Sequence, residues 1–189
     1  AWRNVFVNIP LWKNRDMRSV RGLLKLLRPH QWLKSSFVFV GLLFGHAWSD
    51  LALVQRVTVA AVAFSLVASA IYVLNDFLDR DRDREHPEKC LRPLASGEIG
   101  VAQALALGCV CFLASLVLAA SVSPTVLTIV LAYAVLNVGY SLGLKHVVLL
   151  DVFIISAGFM LRILAGTLGV GIAPSHWLML CGLMVTLFL

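Results

Sequence analysis

The chain has 189 residues, 60% of them hydrophobic and only 14% charged, with a net charge of +6. Soluble domains are about 45–50% apolar and about 25% charged, so this balance excludes an ordinary water-soluble domain and points to a chain threaded repeatedly through a membrane. The positive charge does not imply nucleic acid either, because the basic residues lie between the apolar runs, where membrane topology places them.

Residues 1–34 carry eight Lys and Arg among Leu and Trp. The stretch "LWKNRDMRSVRGLLKLLRPHQWLK" reads as a helix on the membrane surface or as a plain basic flank of the first span. Within it, Arg28 and Lys34 are candidate phosphate contacts as well as interface anchors. Apolar runs follow near 35–54, 57–75, 101–121, 125–144, 147–172 and 176–189. The first five each reach the roughly 20 residues that a helix needs to cross the hydrocarbon. The last is cut by the end of the chain, which opens on Ala1 and stops inside an apolar run, so the sequence is expected to belong to something longer.

An all-α, polytopic transmembrane bundle is therefore expected, since backbone polar groups in lipid must be satisfied within a helix or a closed barrel. Residues 1–34 are expected to form a basic interfacial segment, and residues 35–189 the membrane domain with an Asp-rich loop at 76–100. Beyond the eight basic residues before the first run, the 45–56 connection has one, the loop five, the 120–124 turn none and the 145–146 turn one. By the positive-inside rule the N-terminus and the 76–100 loop face the cytoplasm. Cys109, Cys111 and Cys181 lie in apolar runs and Cys90 in the loop, with no metal-site spacing, so all four read as free thiols.

Six of the ten acidic residues fall in "LNDFLDRDRDREHPEKC", residues 74–90. If the second span continues past Leu74 as a helix, Asp76, Asp79 and Asp83 stand at i, i+3 and i+7, within about 60° of one another, and Asp81 projects to the other side. Asn75 can add an amide oxygen. Clustered carboxylates need a cation between them, and hard oxygen donors suit Mg²⁺, which keeps positions free for substrate phosphate. Arg92, Lys89 and the loop arginines could take the remaining phosphate oxygens. An EF-hand fails, because Arg84 and Cys90 stand where its Gly and Glu belong. In the fifth run, Asp151 and Arg162 are about 16 Å apart along a helix. They cannot pair, and both are expected to face the interior, Asp151 near the mouth and Arg162 deeper.

"NDFLDRDRD" (Asn75 to Asp83) and "HPEKCLRPLASGEI" (from His86) resemble the N-D-x-x-D-x-x-x-D motif and the following H-P-x-K-x-x-R-P segment of the UbiA superfamily of intramembrane prenyltransferases. The resemblance implies nine transmembrane helices around a cavity, of which about six are present, with Mg²⁺ and a diphosphate at the cytoplasmic end. "LRPHQWLKSSFVF" and "YSLGLKHVVLLDVF" look most like the branch that transfers phosphoribose to decaprenyl phosphate.

That resemblance implies a bacterial inner-membrane enzyme with 5-phosphoribosyl diphosphate as donor and a polyprenyl phosphate as acceptor. Asp76, Asp79 and Asp83 would hold the metal, and Lys145, Arg92, Lys34 and Tyr140 would act near the substrates. Prenyl transfer from a polyprenyl diphosphate to a small acceptor is the main alternative, and a cation-binding transporter the other. The sequence leaves the oligomeric state open.

Overall fold

The computed structural model describes residues 21–143 and 148–188, and the regular structure among them is helical. After a helical turn at 21–27, a 3₁₀ helix (Pro29–Phe39) runs into α1 (Val40–Phe44). Then come α2 (Leu51–Leu78), the short α3 (Arg80–Glu85), α4 (Val101–Val122), α5 (Pro124–Leu142), α6 (Val148–Ala165) and α7 (His176–Phe188). Among the described residues four segments are long and apolar enough to cross a membrane: α2, α4, α5, and α6 with its extension to Val170. They match the second to fifth apolar runs.

The first run is built differently from the expectation. Instead of one helix over 35–54, the chain turns after Phe44, and the Asp50 carboxylate accepts from the backbone N–H groups of Ala52 (3.0 Å) and Leu53 (3.1 Å). That cap starts α2 at Leu51. Arg56, which looked like a break between runs, lies inside α2 and reaches the Val122 carbonyl at 3.2 Å. A 3₁₀ helix rises about 2.0 Å per residue. Its 11 residues and the 5 of α1 therefore extend about 30 Å, the thickness that an α-helix of some 20 residues would cover.

α2 is the axis of the bundle: 67% of its most apolar window is buried, against 22% for α4 and 28% for α5. It packs on α4, α5 and the 3₁₀ helix, while α6 lies between α5 and α7. Lipid offers helices no hydrophobic contrast, so small residues and hydroxyls hold them together. Ser115 on α4 donates to the Ala63 carbonyl (2.9 Å), the Ser35 and Ser65 hydroxyls meet at 3.0 Å, and Ser156 meets Thr186 at 2.7 Å. Trp32 Nε1 donates to Ser69 Oγ (2.9 Å), and that hydroxyl donates to the Leu27 carbonyl (2.8 Å).

A second apolar cluster of Leu26, Val73, Leu94, Ile99 and Ala104 clamps the loop after α3 against the end of α2. That clamp fixes the Asp-rich segment.

Where the first crossing meets the end of α6, backbone touches backbone. A methyl group on Gly166 would overlap the Val38 carbonyl, and one on Gly41 would overlap the Gly166 carbonyl. Backbone cannot swing aside as a side chain can. Gly166→Ala is expected to destabilise the bundle by about 1–3 kcal/mol and to lower its melting temperature in detergent. A wild-type melting curve would show that the contact can relax.

Candidate functional site at the Asp-rich end

α2 runs almost unbroken into α3, with only Asp79 between them (φ −91°, ψ 2°), so the acidic stripe keeps close to helical register. The three aspartates nevertheless differ in surroundings. Asp76 is 3% exposed, and its Oδ1 accepts from Arg28 Nη2 at 2.6 Å and Arg92 Nη1 at 3.2 Å. Arg92 Nη1 also donates to Asp83 Oδ2 at 2.6 Å, so one guanidinium bridges two carboxylates seven residues apart. Arg28 sits in the left-handed region (φ 48°), with its guanidinium 4.9 Å from the Tyr72 ring centre. The ion pair with Asp76 helps hold that strained backbone.

Two cavities meet here. The one at the mouth, about 380 Å³, is lined by Asn75, Asp79, Asp83, Arg82, His86, Lys89 and Tyr140. Oxygen donors and cations thus share a single chamber. His86 Nδ1 accepts from the backbone N–H groups of Glu88 (3.2 Å) and Lys89 (3.4 Å). This assigns the ring proton to Nε2 and leaves that atom as a donor. A deeper cavity of about 250 Å³ has Arg28, Lys34, Tyr72, Tyr133, Asn137 and Arg162 in its wall, and Asn75 and Tyr140 line both chambers. A third, apolar cavity of about 600 Å³ lies between α2, α4 and α5.

Most of the residues singled out in the sequence therefore converge. Asn75, Asp79, Asp83, Lys89, Lys34, Arg28, Tyr140 and Arg162 line one chamber or the other. Arg92 lines neither and acts as a clamp between Asp76 and Asp83. Asp151 lines neither and takes a hydrogen bond from the Tyr140 hydroxyl, while its Oδ1 is buried without a partner. Lys145 and residues 1–20 lie outside the described residues.

The sequence singles out Arg82 only as one of the loop arginines, reads His86 as a solvated loop residue that could touch a donor, and gives no sign of Tyr133. His86 directly follows the acidic helix and precedes Pro87, which is the available signal. Tyr133 carries none.

Among the described residues no three His, Cys, Asp or Glu side chains close around a common point. Asp76, held by two arginines, lines neither chamber, while Asp83, which shares Arg92 with it, lines the mouth chamber with Asp79. The Asn75 amide with the Asp79 and Asp83 carboxylates is a hard-oxygen set on one chamber wall. That chemistry fits Mg²⁺, which commonly uses one or two carboxylates and takes its other ligands from water and substrate phosphate.

A model described as the UbiA prenyltransferase family matches residues 35–189. The decaprenyl-phosphate phosphoribosyltransferase of Mycolicibacterium smegmatis is 36% identical over 176 residues, covering 90% of this chain and 55% of the relative. The Corynebacterium glutamicum protein of the same name is 37% identical over 174 residues, covering 89% and 52%. The chain thus spans about half the length of these curated relatives. A solved UbiA homolog from Archaeoglobus fulgidus, bound to GPP and Mg²⁺, superposes with a TM-score of 0.73 at 26% identity, over 88% of this chain and 60% of that one.

Proposed function

The chain belongs to the UbiA prenyltransferase family, and from that premise we propose that the intact protein is a membrane transferase moving a 5-phosphoribosyl group from 5-phosphoribosyl diphosphate to a polyprenyl phosphate. The observation that carries the proposal is the mouth chamber, which Asn75, Asp79 and Asp83 line together with Arg82, His86 and Lys89, beside a deeper cavity that shares Asn75 and Tyr140 with it. Such a wall suits a diphosphate carried with a divalent cation. The similarity to proteins named for phosphoribosyl transfer to decaprenyl phosphate directs the choice within the family.

In this reading Asn75, Asp79 and Asp83 hold Mg²⁺ together with the donor diphosphate. When bound, the ion supplies a Lewis acid for the charge that gathers on the departing diphosphate. His86 Nε2–H, Lys89 and Arg82 take the diphosphate oxygens that the carboxylates would repel, and they fix its orientation. The bond between ribosyl C1 and the diphosphate oxygen breaks, and an acceptor phosphate oxygen forms the new bond to C1. That oxygen is already anionic near neutral pH, so no side chain need take a proton. Arg92 and Arg28 neutralise Asp76 and hold the segment in place. The Asp-rich end faces the cytoplasm, where the water-soluble donor is met, and residues 35–189 supply this part of the membrane domain.

The test is transfer of label from 5-phosphoribosyl diphosphate into the lipid phase by the intact protein in nanodiscs, with Mg²⁺ and a polyprenyl phosphate. Lipid-phase label that disappears on chelation is the expected result. No label from this donor, with transfer from a prenyl diphosphate instead, would replace phosphoribosyl transfer by prenyl transfer.

A further inference from the structure

The wall of the deep cavity includes Arg28, Lys34 and Arg162 but no carboxylate. Arg28 has its counter-charge in Asp76. Arg162, 5% exposed, does not. Its Nη1 donates to the Gly158 carbonyl (2.7 Å) and its Nη2 to the Tyr133 hydroxyl (2.9 Å), both neutral, while its Nε has no partner. Its guanidinium carbon lies 4.7, 5.6 and 5.7 Å from the ring centres of Tyr133, Phe159 and Phe64. Among the described residues neither Arg162 nor Lys34 forms an ion pair. Neutral acceptors and aromatic faces satisfy some N–H groups but do not cancel a desolvated charge, which is strongly unfavourable unpaired. Charges at membrane depth face cavities and meet partners there.

We infer that the deep end of this cavity is a phosphomonoester site, in which Arg162 and Lys34 bind the ligand's dianion as their missing counter-charge. The aromatic faces of Phe64, Tyr133 and Phe159, which could otherwise stabilise an allylic cation, already hold a fixed positive charge. The site therefore selects anionic substrates over a prenyl cation.

Two phosphomonoesters are available, and naming them rests on the proposed phosphoribosyl transfer. One is the head of the polyprenyl phosphate. The other is the 5-phosphate of the donor, whose diphosphate end would lie in the adjoining mouth chamber.

The experiment measures equilibrium binding to the intact protein in nanodiscs, so no turnover is needed. The probe pairs are geranylgeranyl phosphate against geranylgeraniol and ribose 5-phosphate against ribose. Wild type is expected to prefer the phosphorylated member of at least one pair. Arg162→Met should weaken that phosphate binding roughly ten- to hundredfold, the loss of a charge-assisted contact, with the alcohol unaffected and Arg162→Lys restoring part of it. Selective loss on the lipid probe identifies the acceptor head, and selective loss on the sugar probe identifies the donor. Lys34→Met, on the more open wall, is read the same way and decides the matter if Arg162→Met does not fold. Equal binding of every probe by wild type, or variants that bind phosphate as wild type does, overturns the inference. Intact phosphate binding without transfer from 5-phosphoribosyl diphosphate would overturn only the reaction proposed above.

Discussion

Asp79→Asn is expected to lower transfer at least a hundredfold, which corresponds to about 2.7 kcal/mol of lost transition-state stabilisation, while the protein still melts as wild type does. Asp79 sits at the break between α2 and α3 and lines the mouth chamber with Asn75 and Asp83. The amide keeps the size of the side chain but removes the charge that would hold a divalent cation on a diphosphate. Asp81 provides the internal control. Its side chain is 91% exposed, lies on the opposite phase of the helix and pairs with Arg84 at 3.7 Å. Exposed pairs of this kind contribute little, so Asp81→Asn should transfer at close to the wild-type rate. Equal activity of the two variants in the same assay would remove the metal-binding role from Asp79.

Asp76→Ala is expected to act through stability first. The substitution strips both Arg28 and Arg92 of a buried acceptor and leaves Arg92 with Asp83 alone. Removing one partner of a buried ion pair costs about 3 kcal/mol or more. The loss should appear as a lower melting temperature and faster protease cleavage in the 86–99 loop, which Arg92 ties to the helices. Asp76→Asn, which can still accept from one arginine, should fall between the two. Unchanged stability with abolished Mg²⁺-dependent transfer would instead make Asp76 a metal ligand equal to Asp79 and Asp83.

The four long spans could be read directly, because hydropathy over some 20 residues reports the thickness of hydrocarbon that a helix must cover. The same measure misread the first crossing. It counts residues and is blind to rise, so the stretched 3₁₀ segment and the turn before Asp50 merged into one run reaching residue 54. Arg56 interrupts the hydropathy without ending the helix, because its long side chain reaches the Val122 carbonyl on α4. The acidic stripe was visible because α2 does continue to Leu78 and resume at Arg80.

What periodicity could not reveal is the division of labour within that stripe. It depends on where the loop after α3 returns Arg92 and where the turn at Arg28 points its guanidinium, both set by the packing of Leu26, Leu94 and Ile99 on Val73. The tautomer of His86 likewise follows from two backbone donors that only the folded loop supplies. Arg162 was expected in the cavity on the grounds of charge at depth, and it lines the wall. Asp151 is placed there by the same grounds, yet it lines neither chamber and instead bonds the hydroxyl of Tyr140, which lines both.

The first crossing also bears on how the chain is laid into the bilayer during synthesis. Lys34, Ser35 and Ser36 fall within its 3₁₀ stretch, and its polar groups find partners on the helix that follows: Ser35 on Ser65 and Trp32 on Ser69. Alone in the translocon's exit, that segment would be a weak candidate for lipid, with a lysine and unanswered hydroxyls. Once α2 has emerged, the two can partition together as a helical hairpin whose inward faces satisfy each other. The commitment step of insertion is then expected only after α2, which ends at Leu78, has left the ribosome.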